Sequence, residues 1–272
     1  MGPTLNQATG AISPNAVSQL RRVLVIDSNV ASAKMLAEFL RALIPNCQVF
    51  CAHTEERAMR MVQTVDLQII FVEYKGGAMD GLAFTRFLRR SELAVRQAPV
   101  IVVTAEATAA AIIGSRDAGV HEFLRRPYNM SDLKKRLDAI VLRPRDWIEA
   151  VSYVGPDRRR FNSADYKGPR KRRAEGASPL AQRIGQAIKI VQSAANALDS
   201  DRKQAMRSLR AQVRLLCELS AGNEALRALQ SAALALGAYL HQTGNEPSRE
   251  QLETFAAQLL AAAPEEVQSR AA

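Results

Sequence analysis

The chain has 272 residues, 47% hydrophobic and only 5% aromatic, a composition that supports packed cores and helices and excludes disorder throughout. Its formal charge of +10 is uneven: residues 1–142 carry 17 basic and 13 acidic side chains, residues 143–176 carry 10 and 5, and residues 177–272 carry 10 and 9. Half the excess therefore sits in one short central segment, which marks a basic connection rather than a basic fold.

Residues 1–20 lack the charged start and apolar core of a signal peptide and read as a flexible leader. From Arg21 to Val141 short apolar runs alternate with amphipathic stretches. The runs are Val23–Ile26 ending at Asp27, Val49–Ala52, Leu67–Val72 ending at Glu73, Val100–Val103 ending at Thr104, and His121–Arg125 closed by Pro127. Helical spacing recurs between them: Ala31 to Leu43, Glu55 to Val65, Leu82 to Leu88, Ala107 to Ala118 stopped by Gly119, and a last helix capped by Ser131 and reaching Val141. The third run is continuously apolar, as a strand buried on both faces must be. The pattern predicts an α/β fold, a (βα)5 doubly wound parallel sheet over 21–142. In such a sheet function gathers at the carboxyl ends of the strands, where Asp27, Ser28, Glu73, Thr104 and Arg126 stand.

Residues 143–177 lack apolar periodicity and contain Pro144, Pro156 and Pro169. They form an expected basic arm with Arg158, Arg159, Arg160, Arg170, Lys171, Arg172 and Arg173, interleaved with Trp147, Tyr153, Phe161 and Tyr166. The arm reads as a solvated linker, with stacking on single-stranded nucleic acid as the functional alternative. From Ser178-Pro179 the period turns helical. Stripes begin at Leu180, Met206 and Leu226, and a fourth opens at Ser248-x-x-Gln251 with Leu252. These predict a separate all-α, four-helix module over 178–264, then a flexible tail over 265–272.

Residues 21–141 resemble a response-regulator receiver domain of the chemotaxis-regulator kind. The resemblance rests on Val-Leu-Val-Ile-Asp (23–27), Met-Asp-Gly-Leu (79–82), Val-Val-Thr-Ala (102–105), Asp-Ala-Gly (117–119) and Phe-Leu-x-Arg-Pro (123–127) in register. The following Gly-Pro-Asp-Arg-Arg-Arg (155–160) is similar to a tail found after alphaproteobacterial receivers. The family implies transfer of a phosphoryl group from a histidine kinase to an aspartate, assisted by a divalent cation on two acids and a carbonyl, and by a lysine.

Carried over position by position, the attacking aspartate falls on Glu73, and the acidic pair on Asp27-Ser28, so one acid is missing. The carbonyl ligand falls on Lys75, whose ammonium would add charge to the pocket, and the lysine falls on Arg126. The hydroxyl is kept as Thr104 and the switch aromatic as Phe123, while Gly77 replaces the usual loop proline. Asp27 is a residual ligand at best, so no metal and no other cofactor are expected. Glu73 is one methylene too long, ~1.5 Å, which in-line attack tolerates badly.

Two readings of the pocket follow: a structural ion pair between Glu73 and Arg126, and a partial mimic of the phosphorylated state with a bidentate Glu73–Arg126 pair. The expected function is that of a degenerate receiver, not an enzyme, acting by contact with a histidine kinase or downstream effector, with a homodimer as a further option. The alternatives are a true phosphoryl acceptor using Glu73 or Asp80, and a nucleic-acid-binding regulator using the arm. Ile112, Ile113 and Phe123 are the expected interaction face. His241 lacks the neighbouring lysine that a phosphotransfer histidine needs. Cys47, Cys51 and Cys217 have neither disulfide-framework nor zinc spacing, and no run of about 18 apolar residues is present, so a cytoplasmic protein without membrane insertion is expected.

Overall fold

The computed structural model describes residues 20–76, 79–106, 108–158 and 178–269. The expected leader, Gly77, and the arm residues Arg159, Arg160, Phe161, Tyr166, Arg170, Lys171, Arg172 and Arg173 lie outside the described residues. The chain divides into two compact units, residues 1–147 with 155–165, and residues 148–154 with 166–272.

In the first unit β1 (Arg22–Ile26), β2 (Gln48–Ala52), β3 (Ile69–Glu73), β6 (Val100–Thr104) and β7 (Glu122–Arg125) form a parallel sheet in the order β2-β1-β3-β6-β7. A two-residue ladder, β4 (Lys75–Gly76) with β5 (Met79–Asp80), shapes the loop after β3. Strand residues alternate between two cores. Leu24, Ile26, Ile70, Val72, Val100 and Val102 pack in one cluster with residues of α2 (Glu55–Thr64), α3 (Gly81–Arg90) and α4 (Ala109–Asp117). Val23, Val25, Ile69, Phe71, Ile101 and Leu124 pack in the other with α1 (Val30–Leu43) and α5 (Met130–Leu142). Both faces of the central strands are thus closed, which is why their sequences run apolar without interruption.

The helix starts are fixed locally. Asn29, Thr54, Asp80 and Thr108 each accept a backbone N–H of the first turn. The fifth helix is capped by Asn129, not Ser131: Asn129 accepts from the Asp132 amide while Asp132 reaches back to the Asn129 amide. This reciprocal pair closes two donors at once, which a lone serine two residues later cannot do. Gly119, at φ +85°, ends α4 in a conformation that only glycine adopts cheaply.

The linker expected over 143–177 is revised at its beginning. Residues 147–149 and 154–156 form a two-stranded ribbon, β8 (Trp147–Glu149) with β9 (Val154–Pro156), and Tyr153, expected as an exposed stacking ring, is buried. In the first unit the anchor is Arg89, itself only 1% exposed. Its Nε donates to Gly119 O (2.9 Å), its Nη1 to Arg96 O (2.5 Å) and Ala98 O (2.8 Å), and its Nη2 to His121 Nδ1 (3.2 Å). The Trp147 ring lies 5.3 Å from the Arg89 guanidinium and 5.7 Å from that of Arg96. Arg145 donates to His121 O and to Asp157 O (3.3 Å), and Arg158 pairs with Asp117 at 3.0 Å. Such contacts combine residues too far apart in sequence for any periodicity to reveal.

The second unit is a bundle of α6 (Pro179–Asn196), α7 (Arg202–Ser220), α8 (Arg227–Gln242) and α9 (Arg249–Ala261). α6 packs on α7 and α9, and α8 packs on the same two, so the ring of helices closes around Ile184, Val191, Leu209, Leu216, Leu229, Leu236, Leu252 and Leu259. Gly222 and Gly244 turn the chain between helices at φ +70° and +61°. The expected tail is folded at least to Ser269: α10 (Glu265–Gln268) buries Val267, where Gly185 of α6 leaves room for it. The capping box expected at Ser248 does not form; no side-chain cap bond is made, and the Ser248 amide donates to the Tyr239 hydroxyl at 2.7 Å.

His121 Nδ1 receives N–H groups from Arg89 and from Val100 (3.3 Å), so the imidazole is neutral with its proton on Nε2. Burial, then the adjacent Arg89 and Arg145 charges, hold its pKa well below the ordinary histidine range. The unfolded chain therefore binds a proton that the folded chain refuses. Stability from this site is complete above about pH 6.5 and is lost as the pH falls below it, by at most ~1.4 kcal/mol per pH unit. Urea unfolding between pH 7.5 and 5.5 is expected to show the loss in the wild type and a flatter profile in His121→Gln; parallel profiles would contradict it.

Candidate functional site

The sheet order reverses direction between β1 and β3, and the crevice at their carboxyl ends is where such folds place ligands. Ile26 pairs with Val72, so the next residues, Asp27 and Glu73, stand side by side. Arg126 reaches them from the end of β7, its amide bonded to Thr104 O at 2.7 Å. Its Nη2 contacts Asp27 Oδ2, and its Nη1 lies 3.6 Å from Glu73 Oε1. The expected Glu73–Arg126 pair exists, but through one nitrogen rather than two, because Asp27 takes the other arm of the guanidinium.

The remaining oxygens are also engaged. Asp27 Oδ1 accepts the Asn29 amide at 2.9 Å, and Glu73 Oε2 accepts both the Ser28 amide (3.1 Å) and the Ser28 hydroxyl (2.7 Å). Each of the four carboxylate oxygens thus faces a donor from the chain itself. Burial pushes the Asp27 carboxyl above its usual range, and Glu73 adds to the push, against the pull of the Asn29 amide and Arg126. Arg126 Nε is buried without a hydrogen-bond partner, a cost the pairing must offset.

Two glycines press the loop onto Glu73. A Cβ at Gly76 would stand 1.8 Å from Glu73 Oε2 and 2.6 Å from Ser28 Oγ, and one at Gly81 would stand 1.9 Å from the Glu73 carbonyl oxygen. The backbone at Gly76 therefore occupies the approach to the carboxylate, and only an absent side chain permits it. The donor role of Ser28 and the covering role of Gly76 escaped the sequence reading; the Gly76-Gly77 doublet after a strand end was the one available signal.

Other site residues fall as follows. The Lys75 ammonium was expected to charge the pocket; it lies 5.4 Å from the centre of the Tyr74 ring, on an exposed side chain. Thr104 is 4% exposed and its Oγ1 accepts the Glu106 amide at 2.9 Å, facing the following loop. Phe123, expected on the interaction face, is 5% exposed and belongs to the core cluster with Val102, Ala111 and Ala118. Ile112 is half-buried against the same core, while Ile113 is exposed, as is Phe87 on α3. Asp80 is the α3 cap, its Oδ1 accepting the amides of Leu82 (2.9 Å) and Ala83 (3.0 Å). His241 is exposed on the last turn of α8. Among the described residues no three of His, Cys, Asp and Glu converge as a metal centre, and no helix is long and apolar enough to cross a membrane.

Among known families, the response regulator receiver domain model matches residues 23–138. Chemotaxis protein CheY-3 of Vibrio cholerae is 26% identical over 127 residues, 45% of this chain and 92% of that protein. The two-component response regulator ARR5 of Arabidopsis thaliana is 21% identical over 151 residues, 51% of this chain and 80% of its own. A solved signal receiver domain from Bermanella marisrubri is 26% identical and covers 45% of this chain and 99% of its own, with a TM-score of 0.41.

Removing Arg126 while leaving the buried Asp27 is expected to be costly, because an uncompensated charge stays behind. Arg126→Met should destabilise the first unit by about 3 kcal/mol, the low end for a broken buried pair since the arginine is partly exposed. Adding Asp27→Asn should recover a substantial part of that loss. Thermal or urea unfolding of the three proteins measures this, and additive losses would show that the two groups do not interact.

Proposed function

We propose that this chain, whose residues 23–138 are a receiver domain of the two-component response-regulator kind, works as a signalling adaptor through protein contacts rather than by accepting a phosphoryl group. One observation carries the reading: three of the four carboxylate oxygens at the strand ends accept a hydrogen bond from the chain, and the fourth, Glu73 Oε1, lies 3.6 Å from the Arg126 guanidinium.

An attacking carboxylate needs an oxygen free to advance on phosphorus along the axis of the leaving group. Glu73 Oε2 is held by two Ser28 donors, and Oε1 faces a guanidinium. The residues do not fit Mg²⁺ either. This ion relies on one or two carboxylates with free oxygens, and here Ser28 stands where the second acid would be and Asp27 is committed to Arg126 and Asn29. Arg126 supplies within the fold the positive charge that an ion would otherwise bring.

The ion-pair reading is favoured over mimicry of the phosphorylated state. Mimicry would draw the Thr104 hydroxyl toward the pocket, whereas that oxygen accepts the Glu106 amide. Signalling then falls to surfaces, with exposed Phe87 and Ile113 as the apolar contacts that a histidine kinase or an effector would use. A nucleic-acid reading rests on the basic arm alone, and within its two arginine clusters the one described member, Arg158, is paired with Asp117.

Incubation with acetyl phosphate and Mg²⁺, followed by intact mass measurement, is expected to leave the wild-type protein unmodified, and fluorine NMR is expected to detect no bound beryllofluoride. The triple variant Ser28→Asp, Glu73→Asp, Arg126→Lys should gain metal-dependent labelling. A stable, metal-dependent adduct on the wild type would sink the proposal.

A further inference from the structure

α7 has two buried faces of different chemistry. One carries Ala205, Met206, Leu209 and Leu216 into the bundle core. The other carries Gln204, Ser208 and Gln212, spaced four apart on one stripe and exposed by only 3%, 0% and 3%. Buried polar side chains are costly unless hydrogen-bonded, so a stripe of three calls for a partner.

The partner belongs to the same unit: residues 148–154, remote in sequence from the helix. Gln204 Nε2 donates to Glu149 Oε1 (2.8 Å) and to Ala150 O (3.3 Å), and Gln212 Nε2 donates to Glu149 O (3.1 Å). The segment folds back on itself through the Ala150 amide and Tyr153 O at 2.9 Å, and buries Glu149, Ala150, Tyr153 and Val154. Two side-chain amides thus hold the backbone carbonyls of a turn, and Gln204 also grips its one carboxylate. The match is incomplete: Ser208 Oγ and Gln212 Oε1 are buried without partners.

We infer that the Gln204–Ser208–Gln212 stripe of α7 is a peptide-docking seam, and that residues 148–154 are its tethered and displaceable occupant. The seam takes a short turn-forming segment that offers it one carboxylate and two successive backbone carbonyls, with an aromatic four residues after the carboxylate. The two unpartnered atoms mark where a better-matched segment would gain hydrogen bonds that the chain's own segment does not make. The helical unit is then a binding module held closed by its own peptide, whose tethering gives it a high effective concentration over free competitors.

The test uses the full-length protein and a labelled synthetic peptide with the sequence of residues 146–156. Wild type should bind it weakly. Glu149→Lys with Tyr153→Ser, which disables the tethered copy, should bind it about tenfold tighter or more, and adding Gln204→Leu should abolish the gain. Equal affinity of wild type and the double variant would overturn the inference. In a second measurement, robust to misfolding of the variants, ¹⁵N-labelled wild type is titrated with the unlabelled peptide at millimolar concentration. The Ala150 and Tyr153 amide signals should move to those of a released segment; signals unchanged at saturation would likewise overturn it.

Discussion

A single guanidinium shared between two carboxylates organises the strand-end crevice. The sheet order forces Asp27 and Glu73 together, and neither can leave, because each is fixed to a strand whose neighbours lie on both sides. Two like charges at that distance in a buried crevice repel strongly, and Arg126 resolves the conflict by contacting both. The arrangement is asymmetric. Asp27 is nearly inaccessible and receives the closer contact, while Glu73 is more open and depends on Ser28 for its remaining bonds.

The loop after β3 is shaped by the same pocket. With Gly76 over the Glu73 carboxylate and Gly81 over its carbonyl, the β4–β5 ladder and the first turn of α3 are seated directly on the residue they cover. The acid at position 73, the hydroxyl at 28 and the bare backbone at 76 therefore pack as one unit rather than three. The glutamate fills the space, the serine satisfies the oxygen that the arginine does not reach, and the glycine lets the loop close over both.

Much of this was legible in the sequence because it depends on periodicity and on local caps. The five apolar runs announce the parallel sheet, and the strand-end positions of Asp27, Glu73 and Arg126 announce that these side chains meet. What escaped depends on contacts between residues distant in the chain. Arg89 reads as one more basic residue on an amphipathic helix, yet it is buried because Gly119, Arg96, Ala98 and His121 all offer it acceptors. Tyr153 reads as an arm aromatic, yet it is core. Phe123 reads as both switch and surface, and its burial with Val102 and Ala111 depends on contacts that no spacing reveals. Asn129 won the cap from Ser131 because Asp132 answers it, a reciprocity visible in the sequence only when both positions are tried.

The ribbon of β8 and β9 bears on how a protein like this changes by recombination. A crossover placed at the end of α5, where periodicity suggests a natural seam, would carry Trp147 away from the guanidinium it covers. One placed just before α6 would leave the Gln204–Ser208–Gln212 stripe without the segment that satisfies it. Each cut would leave a gap in the packing of one unit taken by itself, so the boundaries of the packed units do not coincide with the seams that periodicity suggests.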